Sequence, residues 1–121
     1  MEVYRIDEFI NKEVPVPGER FRLDILTETQ KADHLFGLFL ALEPGGEIPY
    51  HYHRTRESLM IILSGEATET VEGKEVQIKA GQVIYVPAGE KHGMKNNTDT
   101  EFRFLEYYTG DPGVEDRVVV E

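Results

Sequence analysis

The chain contains no cysteine. Disulfides, thiolate metal sites and thiol nucleophiles are thereby excluded, and any metal must be held by nitrogen and oxygen. A basic excess is missing too: thirteen Lys and Arg stand against twenty-three Asp and Glu, a net charge of −10. Phosphate binding needs clustered cations, so nucleic acid is not an expected partner. The acids are scattered rather than gathered in blocks, which is the pattern of a solvated surface and not of an acidic tail. No apolar run approaches the ~20 residues that cross a bilayer. The opening "MEVYRIDEFINK" has no apolar signal core, so no membrane partner is expected and the expected location is cytoplasmic.

Long apolar periods of helical spacing are also lacking, as are internal repeats, linkers and low-complexity tracts. In their place, Gly, Pro or Asp/Asn clusters cut the chain about every ten residues, with short β-rich segments between them. Strands are expected at Phe21–Leu26, Leu35–Leu42, Pro49–His53, Ser58–Leu63, Ala67–Val71, Glu75–Lys79, Val83–Val86, Gly93–Asn96 and Phe102–Tyr108. "SGE" and "EGK" place Gly65 and Gly73 where a tight turn needs positive φ. Only "IDEFINK" suggests a short helix, so the 121 residues read as one all-β domain, 1–121.

Several strands, among them "LFGLFLAL" and "SLMIIL", are apolar at both parities. Such strands must be covered on both faces, which predicts a sandwich or barrel with something over its outer wall. A second subunit is the expected cover, and outward-facing Tyr50 and Tyr52 support a homodimer. Val118–Val120 is expected to add a last strand, at an edge or exchanged between subunits. Phe36, Leu38, Leu40, Met60, Ile62, Phe102 and Phe104 are the expected wall of the interior.

The chemistry sits in "HYHRTRES", residues 51 to 58. Alternate residues of a strand share a face, so His51 and His53 project together, about 6.5–7 Å apart along the strand. Imidazoles at that spacing can lean onto one cation, although His-x-His also occurs on exposed strands. Upstream, Gly45 precedes His51 by five intervening residues. Downstream, "GQVIYVPAGEKHGMKN" spaces Gly81, Pro87, Gly89, His92 and Asn96. Together these segments, within 45–65 and 81–96, closely resemble the two signature motifs of the cupin superfamily. The 15 residues between Gly65 and Gly81 match the spacer of a compact single-domain member.

The resemblance implies an antiparallel jelly-roll barrel holding one divalent metal on His51, His53, Glu57 and His92. Mn, Fe, Co, Ni, Cu or Zn would suit three imidazoles with one carboxylate. One position departs from the pattern. Seven residues, not six, separate Glu57 from Gly65, so counting back from Gly65 puts Ser58 in the ligand slot. A one-residue slip reverses every side chain. A β-bulge just after Glu57 would restore the carboxylate to the metal, and this is the favoured expectation over a site of three histidines alone.

His34 reads as a strand-edge residue. Arg54, Arg56, Lys91 and Lys95 lie near the motifs and either steer an anion inward or pair with acids such as Glu57 and Glu90. Tyr85 and Glu106 are further candidates for the interior, and no general base announces itself. The expected function is a metalloenzyme acting on a small anionic or enolisable metabolite, with dioxygenase chemistry first by analogy and a metal-dependent isomerase also considered. The alternative is a non-catalytic module that binds a small ligand or only the metal.

Overall fold

A computed structural model describes residues 1–27, 32–111 and 113–120. Among them, one short helix, α1 (Ile6–Ile10), precedes ten strands. These are β1 (Phe21–Leu26), β2 (Leu35–Leu42), β3 (Glu47–His53), β4 (Ser58–Ser64), β5 (Glu66–Val71), β6 (Lys74–Lys79), β7 (Val83–Val86), β8 (His92–Lys95), β9 (Phe102–Thr109) and β10 (Arg117–Val119). Two antiparallel five-stranded sheets result, one ordered β1-β2-β9-β4-β7 and the other β10-β3-β8-β5-β6. They face each other as a jelly roll, the all-β class that turn-punctuated short strands require.

The inward residues of both sheets form the main core: Leu38, Leu40, Leu42, Met60, Ile62, Ala67, Ile78, Met94, Phe102 and Phe104. Six of the seven expected wall residues lie there. Phe36 instead stacks on Tyr108, with ring centroids 5.7 Å apart.

The two-sided apolar strands have a second explanation besides a partner subunit. Phe39, Ala41, Leu63 and Leu105 form a separate cluster with Ile25 and with Phe9 of α1. The chain's own N-terminal segment thus covers part of the outer wall. The Phe9 and Phe39 rings are 5.4 Å apart, and Arg103 Nη1 donates to the Phe9 carbonyl at 2.8 Å. The last strand forms one residue earlier than expected and pairs with β3 of its own chain.

The motif residues that carry no chemistry hold the loops together. Gly65 turns β4 into β5 at φ 79°, and a Cβ there would meet the Glu101 carbonyl oxygen at 2.6 Å, so neither conformation nor space permits another residue. Asn96 is fully buried. Its Nδ2 donates to the carbonyls of Leu42 at 3.0 Å, Glu43 at 3.3 Å and Thr100 at 2.9 Å. Backbone bonds from Gly45 N–H to Asn96 O, 2.8 Å, and from Asn96 N–H to Gly46 O, 2.9 Å, tie the first motif's turn to the end of the second.

Candidate metal centre

β3 carries His51 and His53 on its inner face, and β8 brings His92 directly opposite His51 in the ladder. The ring centroids lie 5.1 Å apart for His51–His53, 4.3 Å for His51–His92 and 6.2 Å for His53–His92. One ring nitrogen from each lies within 4.8 Å of the others. His51 and His53 are buried and His92 half-buried.

Each Nδ1 already has an acceptor. His51 Nδ1 meets the Pro49 carbonyl at 2.6 Å, His53 Nδ1 meets Asp116 Oδ1 at 2.8 Å, and His92 Nδ1 meets the Glu90 carbonyl at 3.0 Å. An acceptor at Nδ1 holds the proton there and leaves the lone pair on Nε2. Three such lone pairs around one point, backed by a carboxylate and two carbonyls, is the arrangement of metal-binding imidazoles. The electrostatics agree. Burial lowers the His51 pKa to about 4 despite the Pro49 bond, with the neighbouring His92 and His53 adding to the shift. Burial likewise lowers that of His53, against the opposing pull of Asp116. Neutral imidazoles are what a divalent ion needs, so the donor set fits such an ion.

Glu57, the expected fourth ligand, is not brought to this centre. Its side chain is exposed and accepts a 2.6 Å hydrogen bond from Tyr85 Oη. The reason is the position of the bulge. The extra residue is absorbed at the far end of β4, where pairing with β9 shifts between Ile62 and Ser64, not just after Glu57. Ser58 therefore keeps the inward parity of Met60 and Ile62, all three buried, and Glu57 turns out. The Ser58 hydroxyl donates to Glu106 Oε2 at 3.0 Å.

The flanking cations divide. Arg56 is committed: its guanidinium pairs with Glu106 and lies 3.6 Å over the Tyr108 ring. Lys95 pairs with Glu47 at 3.2 Å, while Arg54 and Lys91 are exposed. His34 pairs with Asp111 at 3.1 Å on the surface, as its strand-edge reading implies. Glu106 does reach the interior, and Tyr85 does not.

Three residues of the site escaped sequence reasoning. Asp116 accepts from the N–H groups of Thr55 at 3.0 Å and Arg56 at 2.9 Å, and from Thr55 Oγ1 at 3.1 Å. Burial alone would raise its pKa, yet these bonds and His53 pull it down to about 2. Arg117 pairs with His53 across β10 and β3, so its side chain shares the inner face at the mouth. Glu69 lies deep in the same cavity, which measures about 300 Å³. Asp116 and Arg117 sit in a tail with no local signal. Glu69 had one: it shares the inward parity of Ala67 in "EATETV".

Comparison with known proteins returns the same double-stranded β-helix architecture. The cupin domain family model matches residues 38–108, and the chain belongs to the cupin family. It is 36% identical over 66 residues to the oxalate-binding protein of Thermotoga maritima, covering 54% of each chain. A double-stranded β-helix protein from Klebsiella pneumoniae superposes with a TM-score of 0.76 at 25% identity, over 98% of this chain and 91% of that one. A Thermotoga maritima structure described as a predicted oxalate decarboxylase gives 0.69 at 30% identity, over 76% and 81% of the two chains. The chain spans 54% or less of the length of the curated relatives it matches. Among the described residues, no helix is long and apolar enough to cross a membrane.

Proposed function

We propose that the protein holds one divalent metal ion on Nε2 of His51, His53 and His92 and binds a small anionic or enolisable metabolite beside it. The observation that carries this is the set of three Nδ1 bonds on rings that each bring one nitrogen within 4.8 Å of the others. The ion, when bound, supplies Lewis acidity for a carboxylate or enolate. Arg117 at the mouth adds positive charge for the ligand's anionic end, and Leu38, Leu40, Met60 and Phe104 give the cavity its apolar wall. Dioxygen-dependent oxidation of an electron-rich ligand is the reaction class we place first, ahead of isomerisation.

The test is purification without chelators or affinity metals, followed by metal analysis and oxygen-uptake screening with catechols, flavonols, β-diketones and acireductones. His92→Ala and His51→Ala should lose the metal, and Glu57→Ala should keep it. Wild-type protein that takes up no divalent ion rejects the reading. Oxalate binding without turnover would favour a binding module, the alternative that the similarity to an oxalate-binding protein supports. In our reading a homodimer buries the outer face of β4 and β7, where Leu59, Val83 and Tyr85 are exposed on paired strands.

A further inference from the structure

Glu69 is 2% exposed, and its Oε1 is buried with no hydrogen-bond partner. An unpaired carboxyl oxygen in a folded interior is costly and calls for an explanation. Arginines line the same cavity, but among the described residues none forms an ion pair with it, and Arg56 pairs with Glu106 instead. Glu106 faces it from the opposite sheet, but that carboxylate is already taken by Arg56 and Ser58. Burial first, then the charges of Glu106 and Glu90, push the Glu69 carboxyl up to about 7. At mildly acidic pH, below that value, the group carries a proton and has an O–H to give.

Register fixes where that O–H lies. Across β5 and β8, Val71 pairs with His92 and Glu69 with Met94. Glu69 is thus the diagonal neighbour of His92, about 7–8 Å away between Cα atoms, one row deeper in the cavity. It does not belong to the group of converging ring nitrogens. A ligand seated on the three histidines would extend past it toward the apolar floor.

We propose that Glu69 sets the specificity of this centre by donating a hydrogen bond to a second oxygen of the bound ligand, so that acids with two oxygen functions, dicarboxylates or oxo-acids, are preferred over simple monocarboxylates. This rests on the metal-bound anion reading above. It assigns the orphaned oxygen a partner, and the anionic end of the same ligand falls to the histidines and Arg117.

Two experiments test it. The first needs no metal: at pH 6, the infrared difference between wild-type apoprotein and Glu69→Gln should show the carbonyl stretch of a protonated carboxylic acid. Its absence overturns the proposal. The second compares succinate with butyrate, acids of equal length, by calorimetry on manganese-loaded protein. Wild type should prefer succinate by about tenfold or more, the scale of a hydrogen bond to a charged acceptor. Glu69→Leu should abolish the preference with metal content unchanged, and Glu69→Gln, which retains an N–H donor, should keep most of it. A wild type that does not prefer succinate overturns the inference, as does a Glu69→Leu variant that still does. Loss of metal from Glu69→Leu makes Glu69 a ligand of the ion instead and also overturns it. Failure of the wild type itself to take up metal sinks the earlier reading, and the infrared result still decides the state of Glu69.

Discussion

Asp116 is 63 residues from His53 in sequence and 2.8 Å from its Nδ1, and replacing it by asparagine tests how the centre is set. The amide is nearly isosteric but has one acceptor and one donor where the carboxylate has two acceptors. Three donors, the N–H of Thr55, the N–H of Arg56 and Thr55 Oγ1, converge on Oδ2, so the amide oxygen must stay there. The NH₂ group then faces His53 Nδ1, which can answer only by giving up its proton. The tautomer reverses, Nε2 becomes N–H, and the ring no longer offers a lone pair to the cavity. Loss of such a supporting carboxylate lowers metal affinity about 10–100-fold.

Stability should fall by only about 1 kcal/mol, because the bonds to Thr55 and Arg56 survive without charge assistance. A second consequence follows from the depressed carboxyl. Held at about 2 instead of 3.8, it contributes stability that is complete above the unfolded value and is lost as pH falls through the folded one. After discounting for solvent screening this is about 1–2 kcal/mol, and Asp116→Asn should lack that acid limb. Chelator competition gives the affinity, nitrogen-15 imidazole spectra the tautomer, and denaturant unfolding the stability. Unchanged metal affinity, or a His53 ring that keeps its proton on Nδ1, refutes the reasoning.

Glu69 predicts the opposite pH slope. Its carboxyl is raised from 4.5 to about 7, so the folded state holds a proton that the unfolded state has lost, and apoprotein stability should drop by up to about 3 kcal/mol between those values as pH rises. Glu69→Gln should flatten that drop in urea titrations. Asn96→Ala strips the donor shared by the Leu42, Glu43 and Thr100 carbonyls and should cost about 2–4 kcal/mol in the same assay. Leu59→Glu places a charge on the exposed face of β4 and should convert a dimer to monomer in sedimentation, whereas wild-type protein that is already monomeric at micromolar concentration removes the dimer.

Strand positions were legible because Gly, Pro and Asp/Asn clusters interrupt segments too short and too β-branched for helices, and all ten expected strands fell within two residues of the observed bounds. The three histidines were legible because period-2 geometry and motif spacing are local properties. Glu57 was not, since one extra residue in β4 can be absorbed at either end, and only packing against β9 places the bulge near Ser64. Asp116 and Arg117 were invisible for a different reason. Their roles come from pairing β10 with β3, a contact across more than 60 residues, and the tail's own composition, though it suggests a strand, does not say which strand it joins. That part of the cover over Phe39 comes from the chain itself was not legible either, because a five-residue helix is too short to announce that it packs on a distant sheet.

β10 is only three residues long and lies at a sheet edge, yet the residue just ahead of it, Asp116, is the group that orients His53. Short edge elements open at far lower free energy than the interior strands beside them. Detachment of this one segment would free Asp116, unfasten the 54–56 loop and release one of the three imidazoles while the rest of the barrel stays folded. For the ion proposed above, fraying at a sheet margin rather than global unfolding would set the exchange rate, so heat resistance and metal retention would be separate properties.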